Sequence, residues 1–140
     1  TRYDDPKGKM IRGDKASFRW IPNGIPGIET RMPLLYSEGV GKGRIDLSTF
    51  VALTATNAAK MYGIYPKKGC LAEGSDADIV VVDADRAITL DTDRARGKSD
   101  YSLFEGRTVK GAPVMTFLRG KLVAENGEIV ADKASGQFLM

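Results

Sequence analysis

The hydrophobic pattern of this 140-residue chain changes type at residues 65–69, Tyr-Pro-Lys-Lys-Gly. Upstream of this segment, apolar residues recur at the spacing that is typical of amphipathic helices. Downstream, β-branched runs separated by glycine-containing turn signals indicate short strands. The chain is therefore predicted to combine a helical part with a set of strands, and we expect neither part to close on itself as a complete fold.

A loop rich in proline and glycine occupies residues 1–31 and precedes the helices. The two residue types recur too often here to allow a long helix or a regular strand. Apolar residues that can be buried argue against disorder, so we expect an ordered loop of the active-site type, with Trp20 as a packing anchor. The other apolar residues of this segment are Phe18, Ile21, Ile25 and Ile28.

Three helices are predicted after the loop. Pro33 suits the first turn of the first helix, and Asp46 or Ser48 can cap the second. The pair Thr56-Asn57 offers a new cap for the third helix, which Gly63 would end. We expect these helices at residues 31–40, around residues 50–54, and at residues 58–62.

The strand-forming part begins with residues 79–83, a nearly continuous β-branched run that is typical of a strand buried on both faces. Tight turns are predicted at Arg119-Gly120 and at Asn126-Gly127, and Asn-Gly is the signal for a type I′ hairpin. Further strands are predicted at residues 87–90, 108–110, 114–119, 121–125 and 129–131.

The amino-acid composition excludes several kinds of functional site. The chain has no histidine and one cysteine, Cys70, so it cannot build a common zinc site unaided, nor a Ser-His or Cys-His nucleophile. The basic residues of the first segment are scattered and the longest apolar run, residues 79–82, is short, so we expect neither a nucleic-acid nor a membrane partner. The chain begins at Thr1 without a methionine, and we expect it to be a piece of a longer protein.

Several segments, in order along the chain, resemble hydantoinases and dihydropyrimidinases, the cyclic-amide branch of the amidohydrolase superfamily. Ile-Pro-Asn-Gly at residues 21–24 resembles the late active-site loop of these enzymes. Gly-Ser-Asp-Ala-Asp followed by Ile-Val-Val-Val-Asp, at residues 74–83, resembles the returning strand of their small β-domain. The other similar segments are residues 29–32, 56–60, 66–69, 100–106 and 111–114.

The resemblance implies an α/β parent enzyme of which this chain is the end. Residues 1–64 would be the last loop and helices of a (β/α)8 metal-dependent hydrolase barrel. Residues 65–131 would be the C-terminal part of a small β-sandwich domain, and residues 132–140 a tail. The parent would bind two divalent metal ions, most often zinc, through ligands upstream of this chain, which alone would bind none. It would be a cytoplasmic homo-oligomer, a dimer or a tetramer.

The resemblance carries one position of this chain over to substrate binding. Asn23 matches the loop asparagine whose backbone groups hydrogen-bond the cyclic imide, and an imide ring offers C=O and N–H edges that main-chain amides can complement. An ordinary Pro-Asn-Gly turn is the alternative. We expect no catalytic residue in this chain, and we expect Glu29 and Arg31 to form an ion pair that anchors the loop.

Other polar residues are expected to be structural. Asp76 and Asp78 stand at the start of a strand, where turn hydrogen bonds are the expected role, and Lys67-Lys68 is expected to be a solvated turn. Cys70 is expected to be a small buried residue, because no histidine is available to activate its thiol.

The resemblance predicts hydrolysis of the ring amide of hydantoins or dihydropyrimidines to N-carbamoyl amino acids, by an enzyme formed from this chain and its N-terminal remainder. Two alternatives stay open. One is a non-catalytic, dihydropyrimidinase-related oligomeric scaffold protein, and the other is an allantoinase.

Overall fold

Two helical segments follow the N-terminal loop in the computed structural model of the chain, which describes residues 2–3, 7–132 and 134–139. The first comprises α1, Ile28–Leu35, and a π-helical stretch, Tyr36–Val40. The second runs without a break through three parts. These are α2 at Leu47–Val51, a π-helical stretch at Ala52–Thr56, and α3 at Asn57–Met61.

Helix α1 begins three residues earlier than the predicted start, at Ile28. The backbone N–H of Arg31 donates to the Gly27 carbonyl at 3.0 Å, so the first helical turn already closes upstream of the predicted boundary. Pro33 therefore lies inside the helix, beyond its first turn, and is buried. The prediction that Pro33 lies in the first turn was wrong, because it placed the start of the helix at residue 31 instead of Ile28.

Of the predictions for the start and end signals of the second helical segment, two are confirmed and one is wrong. Asp46 caps α2, because its carboxylate accepts the backbone N–H of Thr49 at 2.7 Å, and this hydrogen bond lowers the pKa of Asp46. Gly63 ends the segment with a positive φ of 70°, as predicted. The predicted cap at Thr56-Asn57 was wrong. Thr56 is helical and its hydroxyl donates to the Gly69 carbonyl at 2.7 Å, so one helix continues through this point.

The strands form one antiparallel sheet in the order β1-β2-β3-β4. The predicted strands at residues 79–83 and 87–90 join into one, because the chain continues through an irregularity in which the Asp83 carboxylate accepts the backbone N–H groups of Asp85 and Arg86. The predicted strands at residues 108–110 and 114–119 also join. The four strands are β1 Ile79–Thr89, β2 Thr108–Leu118, β3 Lys121–Glu125 and β4 Glu128–Ile129.

Both predicted tight turns join neighbouring strands. Arg119 and Gly120 link β2 to β3 with φ values of 48° and 76°, and Asn126 and Gly127 link β3 to β4 with φ values of 51° and 87°. Two consecutive positive φ angles are the requirement of a type I′ turn. The hairpin prediction for Asn126-Gly127 is thus confirmed.

The helical part packs on the sheet through Tyr36. A Cβ atom added to Gly111, in β2, would lie 2.1 Å from Tyr36 Cδ1, so the ring rests directly on the strand backbone. The Tyr36 ring also packs against Phe50, with the two ring centroids 5.5 Å apart in an edge-to-face arrangement. Phe50, Val109 and Ala112 are buried around this contact. The core of the described residues therefore joins helix and strand in one unit.

Much apolar surface outside this core is exposed. Val80 and Val81 are 45% and 39% exposed, so the prediction that residues 79–83 are buried on both faces was wrong for this chain. The physical reason is that β1 is an edge strand, which among the described strands pairs with β2 alone. Trp20 is also 57% exposed, so it is not a packing anchor here. The Cζ atom of the Arg12 guanidinium lies 4.3 Å from the centroid of the Trp20 ring. None of the described helices is long and apolar enough to cross a membrane.

Candidate functional site

The Pro22-Asn23-Gly24 loop lies between a 3₁₀ turn, Phe18–Trp20, and helix α1. Asn23 is exposed, and Gly24 has a φ of 89°, a conformation that residues with side chains rarely adopt. The loop therefore turns sharply directly after Asn23. Its main-chain groups stand on the molecular surface, where they can meet a ligand or another part of a protein.

A lysine bridges the two sides of this loop. The ammonium of Lys9 donates to the carbonyl oxygen of Pro22 and, at 2.5 Å, to the carbonyl oxygen of Gly24. The backbone N–H of Lys9 in turn donates to the Arg2 carbonyl at 2.9 Å. Sequence reasoning missed Lys9, since hydrogen bonds that span 13 and 15 residues of irregular loop leave no periodic signal.

Tyr101 contributes a second contact to the same loop. Its hydroxyl lies 3.4 Å from the Gly24 carbonyl oxygen, a long hydrogen bond. The ring of Tyr3 packs edge-on against Tyr101 at 5.6 Å, and the Tyr3 N–H donates to the Asp100 carboxylate at 2.5 Å. The segment after β1 therefore supports the Asn23 loop from one side.

Glu29 connects the start of helix α1 to the same segment. Its carboxylate accepts the backbone N–H of Arg96 at 3.0 Å and that of Gly97 at 2.7 Å. The expectation of an ion pair with Arg31 was wrong about the partner, because two backbone donors aligned on one carboxylate satisfy both of its oxygens. Glu29 nevertheless anchors the loop, through a different segment from the one predicted.

A cavity of about 920 Å³ lies between the loop and the sheet. Ile25, Ile28, Ile88 and Leu90 provide apolar lining, and Glu29 lies in its wall. Asn23 is outside this wall. The predicted binding residue and the cavity are therefore neighbours along the chain but do not form one enclosed site within the described residues.

The predicted carboxylate pair forms a structural ion cluster. The Lys68 ammonium pairs with Asp76 at 2.8 Å and also with Asp78, which accepts the Arg119 N–H at 2.8 Å. The hydrogen bonds that the Lys68 ammonium donates to the Asp76 and Asp78 carboxylates raise the pKa of Lys68. Partial burial raises the pKa of Asp78, but the hydrogen bonds from Lys68 and Arg119 outweigh it, so that pKa is lowered.

The remaining residues singled out by sequence have no catalytic partners in the described part of the chain. Cys70 is half-buried, with its Sγ 3.3 Å from the Pro66 carbonyl oxygen and 3.3 Å from the Ser75 hydroxyl. Lys67 is exposed, as predicted for a solvated turn. For the neighbouring Lys68, the prediction of a solvated turn was wrong, because its side chain lies in the ion cluster.

The donor set of this chain does not fit a two-metal centre. The sequence has no histidine. Within residues 2–3, 7–132 and 134–139, no three His, Cys, Asp or Glu side chains lie close enough together to hold a metal ion. No step of a reaction is therefore assigned to a metal held by these residues.

Comparison with known proteins identifies similar chains. A family model described as "Amidohydrolase family" matches residues 5–123. The D-hydantoinase of Ralstonia pickettii is 44% identical over 133 residues, which cover 95% of this chain and 29% of the relative. The dihydropyrimidinase of Rattus norvegicus is 41% identical over 125 residues, or 89% of this chain and 24% of the relative.

A solved structure of a D-hydantoinase superimposes on the chain with a TM-score of 0.87 at 44% sequence identity, covering 95% of this chain and 29% of that structure. At this identity the likeness extends to sequence as well as fold. The chain thus spans between about a quarter and three tenths of the length of these relatives.

Proposed function

The chain belongs to the amidohydrolase family, and on that premise we propose that it is the C-terminal part of an enzyme that hydrolyses cyclic amides. The relatives are named D-hydantoinase and dihydropyrimidinase, so the proposed substrates are hydantoins or dihydropyrimidines. Water adds across the ring C–N bond: its oxygen joins the carbonyl carbon and its hydrogen ends on the released nitrogen. The product is an N-carbamoyl amino acid.

The observation that carries this proposal is the arrangement of main chain at Pro22-Asn23-Gly24. The carbonyl groups on both sides of Asn23 are held by the Lys9 ammonium, while Asn23 itself is exposed. A cyclic imide presents alternating C=O and N–H groups along one edge. Exposed backbone groups in a fixed orientation complement such an edge, and we assign substrate binding to the backbone of Asn23.

The division of the chain follows from the same proposal. Residues 1–64 are the last loop and helices of a (β/α)8 barrel, residues 65–131 are the C-terminal part of a β-sandwich domain, and residues 132–140 are a tail. The exposed apolar side chains support this assignment, since a surface of this kind is normally covered by protein. On the helical part they include Ile28, Leu47, Val51 and Leu53, and on β1 they include Val80 and Val81.

The catalytic centre is assigned to the N-terminal remainder of the enzyme. We propose that two divalent metal ions, zinc in the first instance, are bound there, since the sequence has no histidine and the described residues hold no cluster that fits such a site. The role of this chain is then to bind and orient the ring. We further propose a cytoplasmic homo-oligomer, a dimer or a tetramer.

The test is a substrate panel on the whole protein. Dihydrouracil, a 5-substituted hydantoin and allantoin are incubated with it separately, and the products are identified by mass spectrometry. The proposal predicts that dihydrouracil or the hydantoin gains one water and yields the N-carbamoyl acid. Turnover of allantoin alone would identify an allantoinase, and turnover of none of the three would indicate a non-catalytic scaffold protein.

A further inference from the structure

We propose that Lys9 is a positioning residue that sets the direction of the Asn23 backbone N–H toward the substrate. The inference deepens the proposed function and rests on it for its catalytic consequence. The geometry behind it is the pair of hydrogen bonds from one ammonium to the carbonyls of Pro22 and Gly24.

The planarity of the peptide unit makes this contact directional. The carbonyl of Pro22 and the N–H of Asn23 belong to the same peptide group, and in a trans peptide they point in opposite directions. When the Pro22 oxygen faces Lys9, the Asn23 N–H must therefore face away from Lys9. A rotation of this peptide group would turn the N–H away from the ring and would also break the lysine contact.

The second hydrogen bond holds the peptide group between Gly24 and Ile25, one residue beyond Asn23. The Gly24 carbonyl accepts from Lys9 at 2.5 Å and lies 3.4 Å from the Tyr101 hydroxyl. Gly24 has a φ of 89°. Because glycine has no Cβ atom, steric limits alone do not hold this residue in one conformation. The loop therefore depends on side-chain contacts for its shape, and Lys9 provides two of them.

The charge of Lys9 also strengthens the N–H as a donor. An ammonium that binds the Pro22 oxygen polarises the whole peptide group and so increases the partial positive charge on the Asn23 N–H. A neutral donor at the same place would orient the group but polarise it less. The positioning role thus has an electrostatic component that depends on a cation at residue 9.

The position of Lys9 is itself defined by the fold. Its backbone N–H donates to the Arg2 carbonyl at 2.9 Å, and the next N–H, of Met10, donates to the Tyr3 carbonyl at 3.1 Å. Tyr3 packs on Tyr101. The lysine therefore reaches the Asn23 loop from a backbone that is already tied to the segment after β1.

Two measurements on the whole protein test the inference, with Lys9→Met, Lys9→Arg and a matched control. The control is Lys15→Met, which removes the same charge from an exposed lysine of the same loop. Limited proteolysis with a nonspecific protease, with the cleavages within residues 21–27 mapped by mass spectrometry, reports on local opening of the loop without any substrate. Steady-state hydrolysis of dihydrouracil, or of the hydantoin that the whole protein turns over, reports on the catalytic consequence.

We expect Lys9→Met to accelerate cleavage within residues 21–27 by about tenfold, because loss of two charge-assisted hydrogen bonds favours local opening of the loop. We expect its kcat/KM to fall by about tenfold, mainly through a higher KM, because the N–H contacts the ring before the reaction as well as during it. Lys9→Arg should restore roughly half of both losses, since a guanidinium can also donate to two carbonyls. Lys15→Met should match the unsubstituted protein.

Equal rates of cleavage within residues 21–27 in the Lys9→Met and Lys15→Met proteins would overturn the inference, whatever the activity. Faster cleavage in Lys9→Met with an unchanged kcat/KM would also overturn it, because the loop would then not orient the substrate. If the unsubstituted protein hydrolyses none of the substrates, the proposed function fails, and the proteolysis measurement still decides whether Lys9 holds the loop.

Discussion

Glu29 Oε1 accepts the backbone N–H of Gly97 at 2.7 Å across 68 positions of sequence. This contact, together with the hydrogen bond from the Arg96 N–H, ties the start of helix α1 to the segment after β1. The Arg96 guanidinium continues the connection to Glu128 in β4. The Asn23 loop and the sheet are therefore linked through one carboxylate.

Replacing Glu29 should release the segment that it holds. In Glu29→Ala, the N–H groups of Arg96 and Gly97 lose their charged acceptor, so their hydrogen exchange should accelerate by about tenfold. Glu73→Ala removes an exposed carboxylate elsewhere and is the matched control. Unchanged exchange at residues 95–98 in Glu29→Ala would contradict this role for the carboxylate.

The Asn23 assignment predicts a difference between two substitutions at one position. If recognition uses backbone groups, Asn23→Ala should lower kcat/KM by less than about threefold, since the alanine keeps the main-chain N–H. Asn23→Pro removes that N–H and should lower kcat/KM by about a hundredfold. Steady-state kinetics on the whole protein gives the comparison, with thermal unfolding as the check on folding. An equal loss in both variants would indicate a side-chain role.

The contact of Tyr36 with Gly111 predicts which glycine is essential for packing. A methyl group at residue 111 would lie 2.1 Å from the Tyr36 ring, and alanine would also be strained at the φ of 92°. Gly111→Ala should therefore lower the free energy of unfolding by about 3 kcal/mol. Gly106→Ala is the matched control. Its φ is 73° with no atom within 4 Å of the added carbon, so strain alone should cost about 1 kcal/mol. Equal losses in denaturant unfolding would refute the packing explanation.

The ion cluster of Lys68 predicts a pH dependence. The lowered pKa of Asp78 means that its contribution to stability is present above its ordinary pKa of 3.8 and is lost as pH falls through the lower folded-state value. The raised pKa of Lys68 means that its contribution is present below its ordinary pKa of 10.5 and is lost as pH rises through the higher folded-state value.

Lys68→Met should therefore destabilise the protein between about pH 5 and pH 9. The difference from the unsubstituted protein should shrink at both extremes. Lys67→Met changes the neighbouring exposed lysine and serves as control. Thermal unfolding midpoints measured from below pH 3.8 to above pH 10.5 provide the measurement, and a difference that stays constant over this whole span would contradict the role of the cluster.

Local signals in the sequence predicted those features that depend on a few neighbouring residues. The Asp46 cap, the end of the helix at Gly63 and the turn at Asn126-Gly127 each need one or two side-chain types and lie as predicted. The helix through Thr56 was missed, because the Thr56 hydroxyl finds its acceptor at Gly69, thirteen residues away. Tertiary contacts of this kind decide between a cap and a continuous helix, and they have no local signature.

The candidate site shows the same limit. The motif at residues 21–24 identified the loop through its resemblance to a family, whereas the groups that hold it were not predictable. Lys9, Tyr101 and the backbone of residues 96–97 come from segments without periodicity, and only the fold brings them together. The burial predicted for residues 79–83 also failed, because burial depends on what covers a strand as well as on its composition.

The measurement that tests the central claim most directly is complementation between this chain and the N-terminal remainder that we propose for the enzyme. The two pieces are co-expressed or mixed, and hydrolysis of dihydrouracil or of a 5-substituted hydantoin is followed by the loss of ring-amide absorbance. Each piece alone is the control. We predict hydrolysis by the two pieces together and by neither alone. Hydrolysis by this chain alone, or none by an assembled pair, would contradict the assignment of this chain as the substrate-binding end of a cyclic amidohydrolase.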